Sequence, residues 1–226
     1  MRQPFPARRL LLIGVFAGLA QAHEPITTKL TWTREISRIF YRRCVSCHRE
    51  GGAAPMSLAT YDEARPWAKA IKEEVLERRM PPWGAVKGFG DFRNDPSLSE
   101  PEIERIVNWV EGGAPKGEEI HLPAAPVMPA ATVGAAPRGP ALALRGGVSL
   151  SRTVIARGLR LRGIPPGGET RITARRPDGT VEPLLWLRNR RPNHPDAYYF
   201  REPLTLPRGT RIQVEGSPAD LLIDDG

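Results

Sequence analysis

Cys44-Val45-Ser46-Cys47-His48 brings together the only two cysteines of this 226-residue chain, with a histidine directly after them. A disulfide between two cysteines so close would close a very small ring and staple almost nothing. A chemical purpose is the better reading. Two thiols on one turn of helix can each form a thioether to a haem vinyl group, and the histidine then falls under the iron as proximal ligand. A redox dithiol would sit after a strand in a βαβ unit. Here the motif follows "TREISRIFYRR", whose Ile36, Ile39 and Phe40 share one helical face. A zinc site would want two more ligands at matching spacing, but His23, His121 and His194 lie in three different regions. A chance match is the remaining alternative. Haem fits best.

A haem iron held by histidine on one side can take methionine on the other. Met56, Met80 and Met128 are the candidates. Met128 falls in a Pro/Ala-rich stretch, a poor rigid support. Met56 is within reach of the motif, yet it precedes Ser57-Leu58 in an ordinary apolar pattern that packing explains. Met80 stands in "ERRMPPWGA". Pro81 disfavours helix at the residue before it, so a helix is expected to stop near Arg79 and turn Met80 outward. Pro81 and Pro82 stiffen the chain after Met80 and offer no backbone donors. The alternative role is a hydrophobic plug at a helix end. The loop geometry favours the ligand.

Residues 28–116 read as a helical domain that would position these groups. Thr33 is the expected N-cap of the first helix. "TYDE" (60–63) has the form of a capping box, with Pro66 in the first turn of its continuation and Trp67, Ile71 and Val75 recurring every four residues. "SEPEIERIVNWVEGG" is the clearest helix. Ser99 and Glu102 make a second capping box, Ile103, Ile106, Val107 and Val110 an apolar stripe, and Gly112-Gly113 the stop. So small a domain buries little core by itself, and a macrocycle would supply an apolar centre. Residues 117–147 turn Ala-, Pro- and Gly-rich and read as a linker. Residues 148–226 read as a small β domain. "TRITARRPDGTVEPLLWLR" is two strands around Pro-Asp-Gly, and "PLTLPRGTRIQVEG" repeats the pattern.

Residues 1–22 have the anatomy of a secretory signal peptide: Arg2, Arg8 and Arg9, an apolar run from Leu10 to Ala20, and Ala20-Gln21-Ala22 before His23. An uncleaved anchor is the alternative, but the run is about half of the ~20 residues a spanning helix needs. The mature chain is therefore expected to be exported to the periplasm or beyond and soluble, without a stable membrane span. Cleavage would lower the formal charge from +8 to about +5. No basic stripe interleaves with aromatics, so nucleic acid is not an expected partner.

Residues 32–117 resemble the small class I-like c-type cytochromes of exported bacterial proteins. "CVSCHREGGAAPMSL", "TYDEARPWAKAI", "RRMPPWGA" and "LSEPEIERIVNWVEGGAPKG" carry the resemblance, with "CVSCH" and "RRMPPW" the specific parts. It implies one covalent haem c, Cys44 and Cys47 as thioether positions, and His48 and Met80 as axial ligands. Pro55 and Trp83 also match, as supporting positions. "ARRPDGTVEPLLWL" and "YYFREPLTLPRGTRIQV" are similar to β modules of the copper type II, ascorbate-dependent monooxygenase family, which implies a jelly-roll-like sandwich. That family holds copper with paired histidines and a methionine. Residues 148–226 have His194 alone and no methionine, so no copper is expected. The whole reads as an all-α haem domain followed by a small all-β domain. The expected function is single-electron transfer between exported redox proteins acting as donor and acceptor, not catalysis. The alternatives are a haem domain feeding a copper monooxygenase-like enzyme system, and a haem sensor with a displaceable distal ligand.

Overall fold

The structure, a computed structural model, describes residues 28–127 and 140–224. The expected signal peptide and Met128 lie outside the described residues. A helical domain is followed by an antiparallel β domain, as the residue patterns imply. Among the described residues no helix is long and apolar enough to cross a membrane.

The helical domain has three helical segments. The first opens with a π turn, Trp32–Ile36, and continues as α1, Ser37–Arg43. Its N-cap is Thr31 rather than Thr33. The Thr31 hydroxyl accepts from the Arg34 backbone N–H, and the Glu35 carboxylate accepts from the Thr31 N–H at 3.0 Å. The cap moves two residues upstream because Thr33 is wholly buried against the body of the domain. The second segment is α2 (Tyr61–Ala64), a 3₁₀ turn (Arg65–Trp67) and α3 (Ala68–Leu76). The third is α4, Glu100–Glu111. Both capping boxes form, at Thr60/Glu63 and at Ser99/Glu102. Trp32, Phe40 and Trp109 pack at 5.0–6.3 Å between ring centroids, joining the first segment to α4. Ile36, Ile39, Val75, Ile103 and Ile106 complete this core. Trp67 is not part of it. The 3₁₀ turn rotates its ring out of the Ile71/Val75 face and leaves it 44% exposed.

Among the described residues, eight strands form two four-stranded antiparallel sheets, in the orders β1-β8-β3-β6 and β2-β7-β4-β5. They are β1 (Ala141–Leu144), β2 (Val148–Ser149), β3 (Val154–Leu161), β4 (Thr170–Arg175), β5 (Val181–Leu187), β6 (Ala197–Leu206), β7 (Arg211–Gly216) and β8 (Ala219–Ile223). Inward-facing Leu144, Leu159, Ile172, Leu184, Tyr198 and Leu221 share one core. β1 lies in the stretch whose composition reads as linker; Ala141-Leu142-Ala143-Leu144 pairs with Leu222 to Ala219 of β8. β4 and β5 form the expected hairpin around Pro177-Asp178-Gly179. β6 and β7 flank Pro-Arg-Gly-Thr but do not pair. They belong to different sheets, so this turn carries the chain across the sandwich. β5 and β6 are edge strands, which is where Pro183 and Pro203 are tolerated.

Candidate haem site

α1 ends at Arg43, and the Cys44 carbonyl then accepts from the Cys47 and His48 N–H groups at 3.1 and 2.9 Å. The two thiols and the imidazole therefore sit on one helical turn. Gly51, at φ +65°, and Gly52 bend the chain back on this turn, and a Cβ at Gly52 would run into the Cys47 carbonyl oxygen. The Ala54 N–H then donates to the Cys47 carbonyl and the Leu58 N–H to the His48 carbonyl, at 3.1 and 3.0 Å.

His48 Nδ1 lies 3.2 Å from the Met56 carbonyl oxygen. A carbonyl only accepts, so this bond fixes the proton on Nδ1 and leaves the Nε2 lone pair for a metal. An oriented imidazole with a backbone partner on its far nitrogen is the arrangement metal-binding histidines use. Met56 thus contributes its backbone to His48, and its side chain packs against the helical core.

Both cysteines are free thiols. Burial, aided by Cys47 and Glu102 and opposed by Arg43, pushes the Cys44 thiol up to about 12. A redox dithiol needs a lowered thiol pKa, so the electrostatics run against that chemistry. Thioether formation to a haem suits the free thiols and the Nδ1-protonated imidazole. It also suits the apolar Met56 and Ile71, which pack with Cys44 against the helical core. Among the described residues no three His, Cys, Asp or Glu side chains gather as a metal-ion site.

α4 braces the turn through Glu102. Its carboxylate is nearly buried and accepts from the Ser99 N–H at 2.8 Å and from Arg43 Nε at 3.3 Å; Arg42 pairs with it at 3.6 Å. Burial would raise its pKa, but the Ser99 N–H, Arg43 and the Ser99 hydroxyl together hold it below the ordinary glutamate value. Such a group adds stability at pH values above its unfolded pKa, and that stability is lost as pH falls through the folded pKa. Glu102→Gln is therefore expected to cost about 1.5–3 kcal/mol at neutral pH, the worth of hydrogen bonds to a charged group. It should also flatten the fall in stability below about pH 4.5. Thermal melts of both proteins from pH 3 to 7 check both effects.

Met80 lies at the end of the second helical segment. α3 stops at Leu76, three residues earlier than Pro81 alone implies. Arg78 takes a left-handed conformation, φ +53°. The Arg79 N–H reaches the Glu74 carbonyl at 2.8 Å and the Arg78 N–H the Val75 carbonyl at 3.2 Å. This is a Schellman stop built on arginine instead of glycine. The Met80 N–H also donates to the Glu74 carbonyl, at 3.2 Å. Met80, Pro81, Val75 and Leu98 line a cleft of about 370 Å³ together with Trp83, Ala85 and Val86. Cys44, Cys47 and His48 lie outside it. Cys44 and Met56 instead pack on the core to which Val75 and Leu98 also belong. His121 is engaged elsewhere, with Arg34 at 2.5 Å and Glu118 at 3.6 Å. His194 is buried in the β domain, its Nδ1 accepting from the Arg191 N–H at 3.4 Å.

The helical segments and the thiol–imidazole turn form a cytochrome c-like helical domain. Residues 33–110 match the family model described as cytochrome C oxidase, cbb3-type, subunit III, which supports that class and a haem-based electron-carrier role. No curated protein and no solved structure matches the chain.

Proposed function

We propose that the protein is an exported one-electron carrier with a single covalent haem c, attached through Cys44 and Cys47 and ligated axially by His48 and Met80. The observation that carries this reading is the His48 Nδ1 bond to the Met56 carbonyl, which frees Nε2 beside two unpaired thiols. The haem, when bound, supplies a reversible ferric/ferrous couple. Cys44 and Cys47 tether it, the Met56 carbonyl keeps the imidazole in one tautomer, and the apolar side chains of the helical domain exclude water. A thioether on the second axial position would fill the iron's coordination and leave no vacancy for substrate, which suits transfer between exported redox partners. The β domain has no paired histidines to hold a catalytic copper, which weighs against a monooxygenase role for this chain.

Oxidised and reduced visible spectra of the purified holoprotein, with and without carbon monoxide, test this reading. Low-spin spectra in both states and no carbon monoxide complex are expected of the carrier. A reduced form that binds carbon monoxide readily would favour the sensor instead. One tightly bound copper per chain would revive the enzyme reading.

A further inference from the structure

The chain beyond Met80 leaves the helical domain and packs into the β sandwich. The Val86 N–H donates to the Trp186 carbonyl at 2.8 Å, and the Arg188 N–H donates to the Gly84 carbonyl at 3.2 Å. Ala85 pairs antiparallel with Leu187, so residues 84–86 extend the sheet at its β5 edge. Six residues on, Phe92 pairs with Phe200 of β6, the edge of the other sheet. There the Arg93 N–H donates to the Tyr199 carbonyl at 2.9 Å and the Arg201 N–H to the Asp91 carbonyl at 2.8 Å. Asn94 adds two bonds of 3.0 Å, donating to the Ala197 carbonyl and accepting from the Tyr199 N–H. The segment thus bonds to one edge strand of each sheet, β5 and β6, before it returns to α4. Trp83 sits at its head, 4.8 Å from the Tyr198 ring and 5.9 Å from Phe92. Gly84 approaches the β domain so closely that a Cβ there would lie 2.5 Å from both His194 Nδ1 and Leu187 Cδ1.

Met80 is therefore held between two fixed points. One is the Schellman stop of α3, which belongs to the haem domain. The other is the Trp83–Gly84 anchor, three residues away across Pro81 and Pro82, and it belongs to the β domain. A proline pair has little freedom to absorb a shift at either end. We propose that the β sandwich is the clamp that positions the distal ligand loop, with Trp83 and Gly84 as positioning residues that act through Met80. The proposal rests on the reading of Met80 as the second axial ligand. It gives the β domain a role in tuning the haem that needs no metal of its own. Any partner that strains the β5 edge would thereby alter the haem's ligation.

The test uses full-length holoprotein of the wild type and of the Trp83→Leu, Gly84→Val and Met80→Ala variants. Two readouts are independent of one another: hydrogen exchange of the Val86 and Arg188 amides, and displacement of the distal ligand from ferric haem by added imidazole. Exchange at Leu159 and Leu221, deep in the sandwich, reports that the β domain is folded. Trp83→Leu and Gly84→Val should each speed exchange at Val86 and Arg188 at least tenfold while Leu159 and Leu221 stay protected. The same variants should bind imidazole at least tenfold more tightly, because a loosened loop competes less well for iron. Met80→Ala should bind imidazole tightly with the two amides still protected, which separates the ligand from its clamp. Should Trp83→Leu free both amides yet leave imidazole binding and the weak far-red charge-transfer band that a methionine ligand gives ferric haem unchanged, the clamp does not position Met80 and the proposal falls. Unchanged imidazole binding in Met80→Ala would instead overturn the ligand reading itself.

Discussion

Met80→Ala should abolish the weak far-red charge-transfer band of the ferric haem, lower the reduction potential and open the reduced iron to carbon monoxide. The direction comes from the sulfur: a neutral thioether favours ferrous over ferric iron, so its loss favours the ferric state. Met56→Ala is the matched control. Its backbone carbonyl still accepts from His48, so the band should persist. Its side chain packs against the helical core without being fully buried, so its loss should cost at most about 2–5 kcal/mol, the range for methionine-to-alanine changes in protein cores. Loss of the band in Met56→Ala with retention in Met80→Ala would exchange the two roles. A band that survives both substitutions would call for another distal ligand. His121 is then the residue to change next, although its ring is engaged by Arg34 and Glu118.

Local chemistry is readable in the sequence wherever a few adjacent residues decide the outcome. The Thr60/Glu63 and Ser99/Glu102 capping boxes, the Gly112-Gly113 stop and the Pro177-Asp178-Gly179 hairpin form as their residue types imply. The tautomer-setting partner of His48 is not readable, because a backbone carbonyl carries no side-chain signal. The end of α3 is hidden for a related reason. The left-handed residue is Arg78, where the usual cue would be glycine. Thr31 and Thr33 look alike as caps, and only the burial of Thr33 separates them.

Long-range contacts are the least legible part. By sequence Trp83 is a supporting residue of the haem domain, but its ring lies against Tyr198, 115 positions away in the chain, in the β domain. Nothing in "RRMPPWGA" announces that its last residues will pair with β5. Two signs point that way in retrospect. Gly84 is a residue without a Cβ at a point of close backbone approach. β5 and β6 each carry a proline, the mark of edge strands that need a cover. β1 is hidden because four alternating Ala and Leu residues resemble the Ala-rich stretch before them, and only pairing with β8 distinguishes them.

The central claim is that Cys44 and Cys47 carry the haem covalently, and extraction of the matured holoprotein tests it most directly. Wild-type protein made with a cytochrome c assembly system should keep its haem through denaturation and acidic acetone treatment. The Cys44→Ala/Cys47→Ala variant should retain no haem that resists extraction, because no thioether can form. Haem that leaves the wild-type chain as freely as it leaves the double variant would contradict the account.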